Sequence, residues 1–325
     1  MSHTCILCHS DKFKVVIQKN GYSMVKCANC DLVFTYPKPA EKDLTEFYQK
    51  AYRIDLNGYF RKRPIFEDCI ECIECYVPKK GSLLEIGCSY GLFLDIARER
   101  GWQVSGIELS SSSRFYAEKT YGLTVYNNKL NETPLFKENT FDVVALWHVL
   151  EHFPNPLMEL KNINFCLKPG GIVALALPNF RSLQSRILTR YWEWVDPFVH
   201  LYQFDIVSIK KLLNKAGFEV VCQKSQRGDS KGLFAHIVYY LFRLAFFIIK
   251  TSGVIFLKLR NNIARIDEDK GADKFRSNLD DYLETVLWPM VLKTIRPVDF
   301  ISYMVRQPIY QRMLGPELFV LAKKS

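Results

Sequence analysis

The sequence lacks a secretory leader: its first residues, "MSHTCILCHS", carry no apolar core, so a cytoplasmic protein is expected. It has no internal repeat and no low-complexity tract, which excludes a solenoid or a disordered polar chain. No glycine turn is followed by Gly-Lys-Ser/Thr, so a P-loop is excluded. The apolar run at residues 233–249, "LFAHIVYYLFRLAFFII", is broken by Arg243. As a helix it would reach about 25 Å, short of the roughly 30 Å of a bilayer core. Acidic residues are in deficit, 34 against 44 Lys and Arg, for a net charge of +10. That balance suits an anionic partner (nucleic acid, membrane surface or phosphorylated substrate) and equally a plainly basic solvated surface. The remainder is ordinary for a globular chain: 325 residues, 48% hydrophobic and 24% charged, enough for one large domain and a small one, or two of ordinary size.

Ten cysteines in a cytoplasmic chain point to metal or buried thiols rather than disulfides. Cys5 and Cys8 form one C-x-x-C pair, and Cys27 and Cys30 another. Each spacing lets a tight knuckle aim two thiolates at one ion, and Asn20-Gly21 is a hairpin turn that brings the knuckles together. A closed four-thiolate zinc site is structural, and residues 1–38 read as a zinc ribbon. So small a module has little core, and metal would supply roughly 10–16 kcal/mol of its folding energy. Loss of Cys27 is expected to unfold that module alone. A second cluster, Cys69, Cys72 and Cys75, invites an iron–sulfur reading, but no fourth cysteine accompanies it. Ile65, Phe66, Cys69, Ile70 and Ile73 instead share a helical stripe, with Pro64 suited to its start, so residues 39–80 read as a helical linker.

"LLEIGCSYGLFLDIA", residues 83–97, is a buried strand, a glycine-bearing turn and a helix start. "QVSGIELS" follows as a second strand ending in Glu108, then a helix opened by serines: the β-turn-α-β-α opening of a parallel α/β sheet. The turn is E-x-G-C-S-Y-G and not G-x-G-x-x-G, which disfavours a dinucleotide. S-adenosylmethionine has no phosphates. It needs close backbone approach at Gly87 and Gly91 and an acid such as Glu108 for its ribose hydroxyls. These residues resemble the first two motifs of the class I methyltransferases. "ENTFDVVALWHVLEHFPNP" (138–156) and "LKPGGIVALALPN" (167–179) resemble the third and fourth motifs, in order and at normal spacing.

The resemblance covers residues 81 to about 223. It implies an α/β fold with a seven-stranded Rossmann-like sheet, S-adenosylmethionine as cofactor, and a cofactor site at Glu85, Gly87, Cys88, Ser89, Gly91, Glu108, Leu109, Trp147, His148 and Glu151. Related ubiquinone-pathway O-methyltransferases carry an E-x-x-E-H segment that can hold a divalent ion. Here the first acid is His148, followed by Glu151 and His152, and three roles stay open: pocket lining, metal or helix packing. The segment is not [ND]-P-P-[YF], which disfavours chemistry on exocyclic base nitrogens. His200 is the base candidate outside the motifs, with a structural histidine as its alternative. His148 and Tyr202 are further catalytic candidates. Tyr191, Trp192, Trp194, Phe198 and Tyr202 could wall an acceptor pocket.

"FEVVCQKSQ" fits strand six of that fold, and the good candidate for its antiparallel last strand is "PELFVLAKKS" at the end of the chain. The core is therefore expected at 81–228 and 313–325, with a helical, partly apolar insertion at 229–312. Residues 233–260, with Lys250, Lys258 and Arg260, read as a helix on an anionic membrane surface, a lid over the acceptor pocket, or a span. The ribbon with "CDLVFTYPKP" is similar to bacterial zinc-ribbon methyltransferases of glycan, modified-sugar and lipid-linked pathways, although Asp31 stands where they have glycine. The expectation is O-methylation of a small-molecule or lipid-linked glycan acceptor by a cytoplasmic enzyme, peripheral on the membrane. An RNA methyltransferase is the alternative, disfavoured because the ribbon has no basic run. A non-catalytic scaffold is the third reading. The acceptor and the oligomeric state are not written in these motifs.

Overall fold

The computed structural model describes residues 4–51, 56–226 and 315–325. The chain divides into two units, 1–229 with 310–325 and 230–309; every described residue lies in the first. The apolar insertion expected at 229–312 falls outside the described residues.

The N-terminal hairpin joins β1 (Phe13–Lys19) to β2 (Tyr22–Cys27) through Asn20 and Gly21. Both turn residues have positive φ, 53° and 79°, the conformation that matches the right-handed twist of the flanking strands. β3 (Val33–Thr35) pairs with β2 and then with β9 (Tyr202–Gln203), a two-residue strand of the main domain. The ribbon is therefore not a detached module. Leu7, Val25, Leu32 and Phe34 are buried in one cluster with Leu201, Tyr202 and Phe204.

Helices α1 (Glu41–Glu46), α2 (Leu56–Phe60) and α3 (Arg63–Tyr76) lead into the main sheet. α3 buries Phe66, Cys69, Ile70 and Ile73 with a proline in its first turn, so the triple-cysteine segment is a core helix. The sheet is built from β4 (Ser82–Ile86), β5 (Gln103–Ile107), β6 (Val125–Tyr126), β7 (Phe141–Trp147), β8 (Leu167–Pro178), β10 (Phe218–Gln226) and β11 (Glu317–Lys324). Its order is β10-β11-β8-β7-β4-β5-β6, with β11 antiparallel to both neighbours and the other pairs parallel. The order is that of the seven-stranded sheet the resemblance implied, and its last two strands are the ones the sequence suggested.

The central strands are mostly apolar because both faces are covered, with Glu85 of β4 and Asp142 of β7 as exceptions. On one face Leu84, Ile86, Val144 and Leu146 share a core cluster with apolar residues of the ribbon and of the helices Pro156–Cys166 and Ile206–Lys215. On the other, Leu83, Val143, Ala145 and Phe319 pack on α3 and α4 (Leu92–Glu99). The carboxyl ends of β4, β5, β7 and β8 meet the start of β11 at one edge, where parallel sheets place their ligands.

Candidate active site

The turn after β4 is held by its own backbone. The N–H groups of Gly87 and Cys88 donate to the Ile107 carbonyl at 2.7 and 3.0 Å. Gly87 and Gly91 have φ of +73° and +84°, and a Cβ on either would come within 2.5 Å of Val149 or Leu123. Glycine is thus required here by backbone and packing, besides any approach of a ligand. Each Glu108 oxygen accepts a backbone N–H, from Ser89 at 2.8 Å and Ser110 at 2.7 Å, and keeps a lone pair for a further hydroxyl. Burial raises the Glu108 pKa, and these N–H groups oppose that shift.

Glu85 is 2% exposed, with Oε2 unpartnered, and the Ser89 hydroxyl is likewise buried without a partner. Burial and then Glu108 hold the Glu85 carboxyl well above its usual range. A bound amino group would satisfy these atoms, which fits the amino-acid end of S-adenosylmethionine, as Glu108 fits its ribose. The Cys88 thiol lies in the core against Gly106, so only its backbone belongs to the turn surface. Leu109 is half-buried just after Glu108. The Trp147 ring packs on Phe93 and Phe319, and its buried Nε1 has no partner.

His148 follows β7 with φ +56°, a conformation rare outside glycine and concentrated at functional sites. Its ring stacks on Trp194 at 4.6 Å and 8°. Its Nε2 meets Glu317 Oε2 at 3.0 Å, and its Nδ1 lies 3.6 Å from Glu151 Oε1. Burial works against the charged ring, but Glu317 and Glu151 outweigh it and push the pKa up to about 10. A narrow crevice opens beside this pair, lined among others by Lys62, Phe66, Trp147, His148 and Glu317.

His152 and His200 stand together, with ring centroids 4.8 Å apart. His200 Nδ1 donates to the Trp194 carbonyl at 2.6 Å, and burial followed by His152 pulls its pKa down to about 4. His152 Nδ1 lies 2.8 Å from the Val199 carbonyl and 2.9 Å from the Tyr48 hydroxyl. Tyr202 is placed differently: its hydroxyl receives Lys38 Nζ at 2.6 Å and reaches the Pro154 carbonyl at 3.3 Å, in the joint between ribbon and core. Of the expected catalytic residues, His148 is brought to the cleft and His200 to the Glu151–His152 side of His148.

Sequence reasoning missed Glu317. The signal was available: an antiparallel last strand begins at the carboxyl edge of its parallel neighbours, so an acid opening that strand belongs to the site. The pairing of Trp194 with His148 had no such signal beyond a run of aromatics.

Two groups of side chains could hold a metal. In the ribbon, Cys5 lies 3.4 Å from Cys30 and Cys8 3.4 Å from Cys27, sulfur to sulfur, with all four ligand atoms within 4.8 Å. At Cys27, burial is outweighed by the N–H groups of Asn29 and Cys30, which bring the thiol down to about 7. The second group is Glu151, His152 and His200. Among the described residues no helix is long and apolar enough to cross a membrane.

Residues 60–223 match the family described as methyltransferase domain. The chain is 32% identical over 159 residues to a ubiquinone biosynthesis O-methyltransferase of Albidiferax ferrireducens, covering 46% of this chain and 62% of that one. A second ubiquinone biosynthesis O-methyltransferase, from Idiomarina loihiensis, is 31% identical over 131 residues, covering 37% and 54%. The chain thus spans less than two thirds of the length of these curated relatives. Among solved structures, a SAM dependent methyltransferase from Archaeoglobus fulgidus aligns with 18% identity and a TM-score of 0.47, covering 83% of this chain and 100% of that one.

Proposed function

The chain belongs to the methyltransferase-domain family, and on that premise we propose that it transfers a methyl group from S-adenosylmethionine to an oxygen of a small acceptor, a glycan or lipid-linked glycan intermediate. The observation that carries this reading is the meeting, at one sheet edge, of the Glu85–Gly91 turn, Glu108 and a cleft floored by His148 and Glu317. The relatives' names favour oxygen as the atom methylated. Glu108 takes the ribose hydroxyls, and Glu85 with Ser89 takes the amino group. S-adenosylmethionine supplies a methyl group on a positively charged sulfur.

Transfer is an in-line displacement: the acceptor oxygen bonds to the methyl carbon as the carbon–sulfur bond breaks. The enzyme's main task is alignment, worth up to roughly 7–11 kcal/mol in model reactions. The acceptor also loses its hydroxyl proton. Glu317 lines the cleft and is the proton acceptor in this reading, while His148, held between Glu317 and Glu151, orients it. His200 is a poor base, because its ring resists protonation down to a pH of about 4. The four ribbon cysteines hold a structural zinc ion.

The test is transfer of radiolabelled methyl from S-adenosylmethionine into an extract, partitioned into organic, aqueous small-molecule and RNA fractions. Label in the organic phase supports a lipid-linked acceptor, and label in aqueous sugars a soluble one. Label confined to RNA overturns the proposal.

A further inference from the structure

Glu317 is the first residue of β11, and the sheet ends beside it on both sides. Its partners, Pro178 in β8 and Gln226 in β10, are the last residues of their strands. The ladder therefore holds Glu317 from one direction only, and its approach depends on the two residues before it, Gly315 and Pro316, both buried. Asn179 takes the carbonyls of both. Its backbone N–H donates to Pro316 at 2.8 Å, and its side-chain Nδ2 donates to Gly315 at 2.8 Å. The ring of Pro316 fixes φ between those two carbonyls, so holding them sets the direction in which the chain enters β11. Any residue but proline could make the first of these bonds. The second needs a side-chain amide of this length.

Asn179 is 2% exposed, and its acceptors are in use as well. Oδ1 accepts the Arg181 N–H at 3.1 Å, and the backbone carbonyl accepts the Ser182 N–H at 2.9 Å. A flipped amide would set oxygen against the Gly315 carbonyl and NH₂ against the Arg181 N–H, so one orientation is imposed. We propose that Asn179 is a positioning residue: it pins the chain just before β11 and thereby sets the Glu317 carboxylate against His148 in the crevice. The contact it serves is short, 3.0 Å from Glu317 Oε2 to His148 Nε2. Both residues line the crevice, so a shift in the start of β11 moves the carboxylate relative to any acceptor there. The effect on rate rests on the reading of Glu317 as proton acceptor; the placement of Glu317 does not.

The experiment first uses the full-length chain without S-adenosylmethionine or acceptor. An imidazole N–H bonded to a buried carboxylate gives a downfield proton resonance that exchanges slowly with water, and that of His148 is identified by its loss in His148→Gln. Asn179→Ala should speed its exchange by at least about tenfold, with near-ultraviolet circular dichroism unchanged. Asn179→Ser, too short to reach Gly315, should do the same and takes the place of the alanine variant if that one does not fold. Unaltered exchange in a folded variant would overturn the proposal, as would absence of the resonance from the wild type. Turnover gives the second reading. Asn179→Ala should cost about 10–100-fold in kcat at unchanged KM for S-adenosylmethionine. The same change in a Glu317→Gln background should cost little, because two residues that act through one group are not additive. An equal cost in both backgrounds would make Asn179 merely structural and overturn the proposal. If exchange quickens while Asn179→Ala turns over like the wild type, Asn179 places Glu317 as proposed, and the proton-acceptor role of Glu317 is what falls.

Discussion

Glu317 is 3% exposed and shares the cleft with His148 at 3.0 Å, so its removal can be separated from loss of packing by an isosteric change. Glu317→Gln keeps the shape and a hydrogen bond but cannot take a proton. If Glu317 is the base, the turnover rate should fall by about 10²–10⁴, while calorimetric affinity for S-adenosylmethionine stays unchanged. An unaltered turnover rate would return the role to His200. At this scale, placements set by a local motif were legible in the sequence: Glu108 directly follows β5, and Gly87 and Gly91 sit in the turn after β4. Residues whose role depends on a distant neighbour were less so. Nothing near position 200 announces that His200 lies beside His152, and the spacing of "WHVLEH" does not reveal that His148 turns from its own segment toward β11.

At the scale of elements, the ribbon is tied to the loop that carries His200. Thr35 N donates to the Leu201 carbonyl at 2.8 Å, Thr35 Oγ1 to that of Pro197 at 2.8 Å, and Lys19 Nζ to that of Val195 at 2.6 Å. Disruption of the four-thiolate cluster should therefore travel. Cys27→Ser is expected to release zinc, raise the acceptor KM and lower kcat, with affinity for S-adenosylmethionine retained. Normal kinetics in a zinc-free variant would show that the ribbon is passive after all. The hairpin was legible because Asn20-Gly21 is a local signal, whereas β9 was not, since two residues have no periodicity. A second joint lies at the end of α3, where Glu74 accepts from Arg100 at 2.7 Å and from Trp102 Nε1 at 3.2 Å. The Arg100 bond leads in holding the Glu74 carboxyl below its usual range. Its folded pKa is depressed, so the stability it gives is present above the ordinary carboxyl range and is lost as pH falls through the lowered value. Glu74→Gln should cost about 1–2 kcal/mol at pH 7 in urea unfolding, and the gap to wild type should close in acid. A gap independent of pH would assign the loss to packing.

Over the whole molecule, the chain closes its sheet with its final strand inserted between two others. Val320 pairs with Leu175 of β8 on one side and Gln223 of β10 on the other. Leu318, Phe319, Val320, Leu321 and Ala322 are all buried. At roughly 1.5–3 kcal/mol for each large apolar side chain, β11 carries as much as the typical 5–15 kcal/mol stability of a domain. Gln226 and Glu317 also face each other at the open end of the pair, so a short turn can join them. Replacing residues 229–312 with such a turn should leave a cooperatively folded chain that still binds S-adenosylmethionine. The same chain cut after Gly315 should not fold. If the shortened chain folds yet transfers no label to its acceptor, the removed segment serves the acceptor; full transfer would make it dispensable to chemistry. Failure of the shortened chain to fold would show that the sheet depends on the segment.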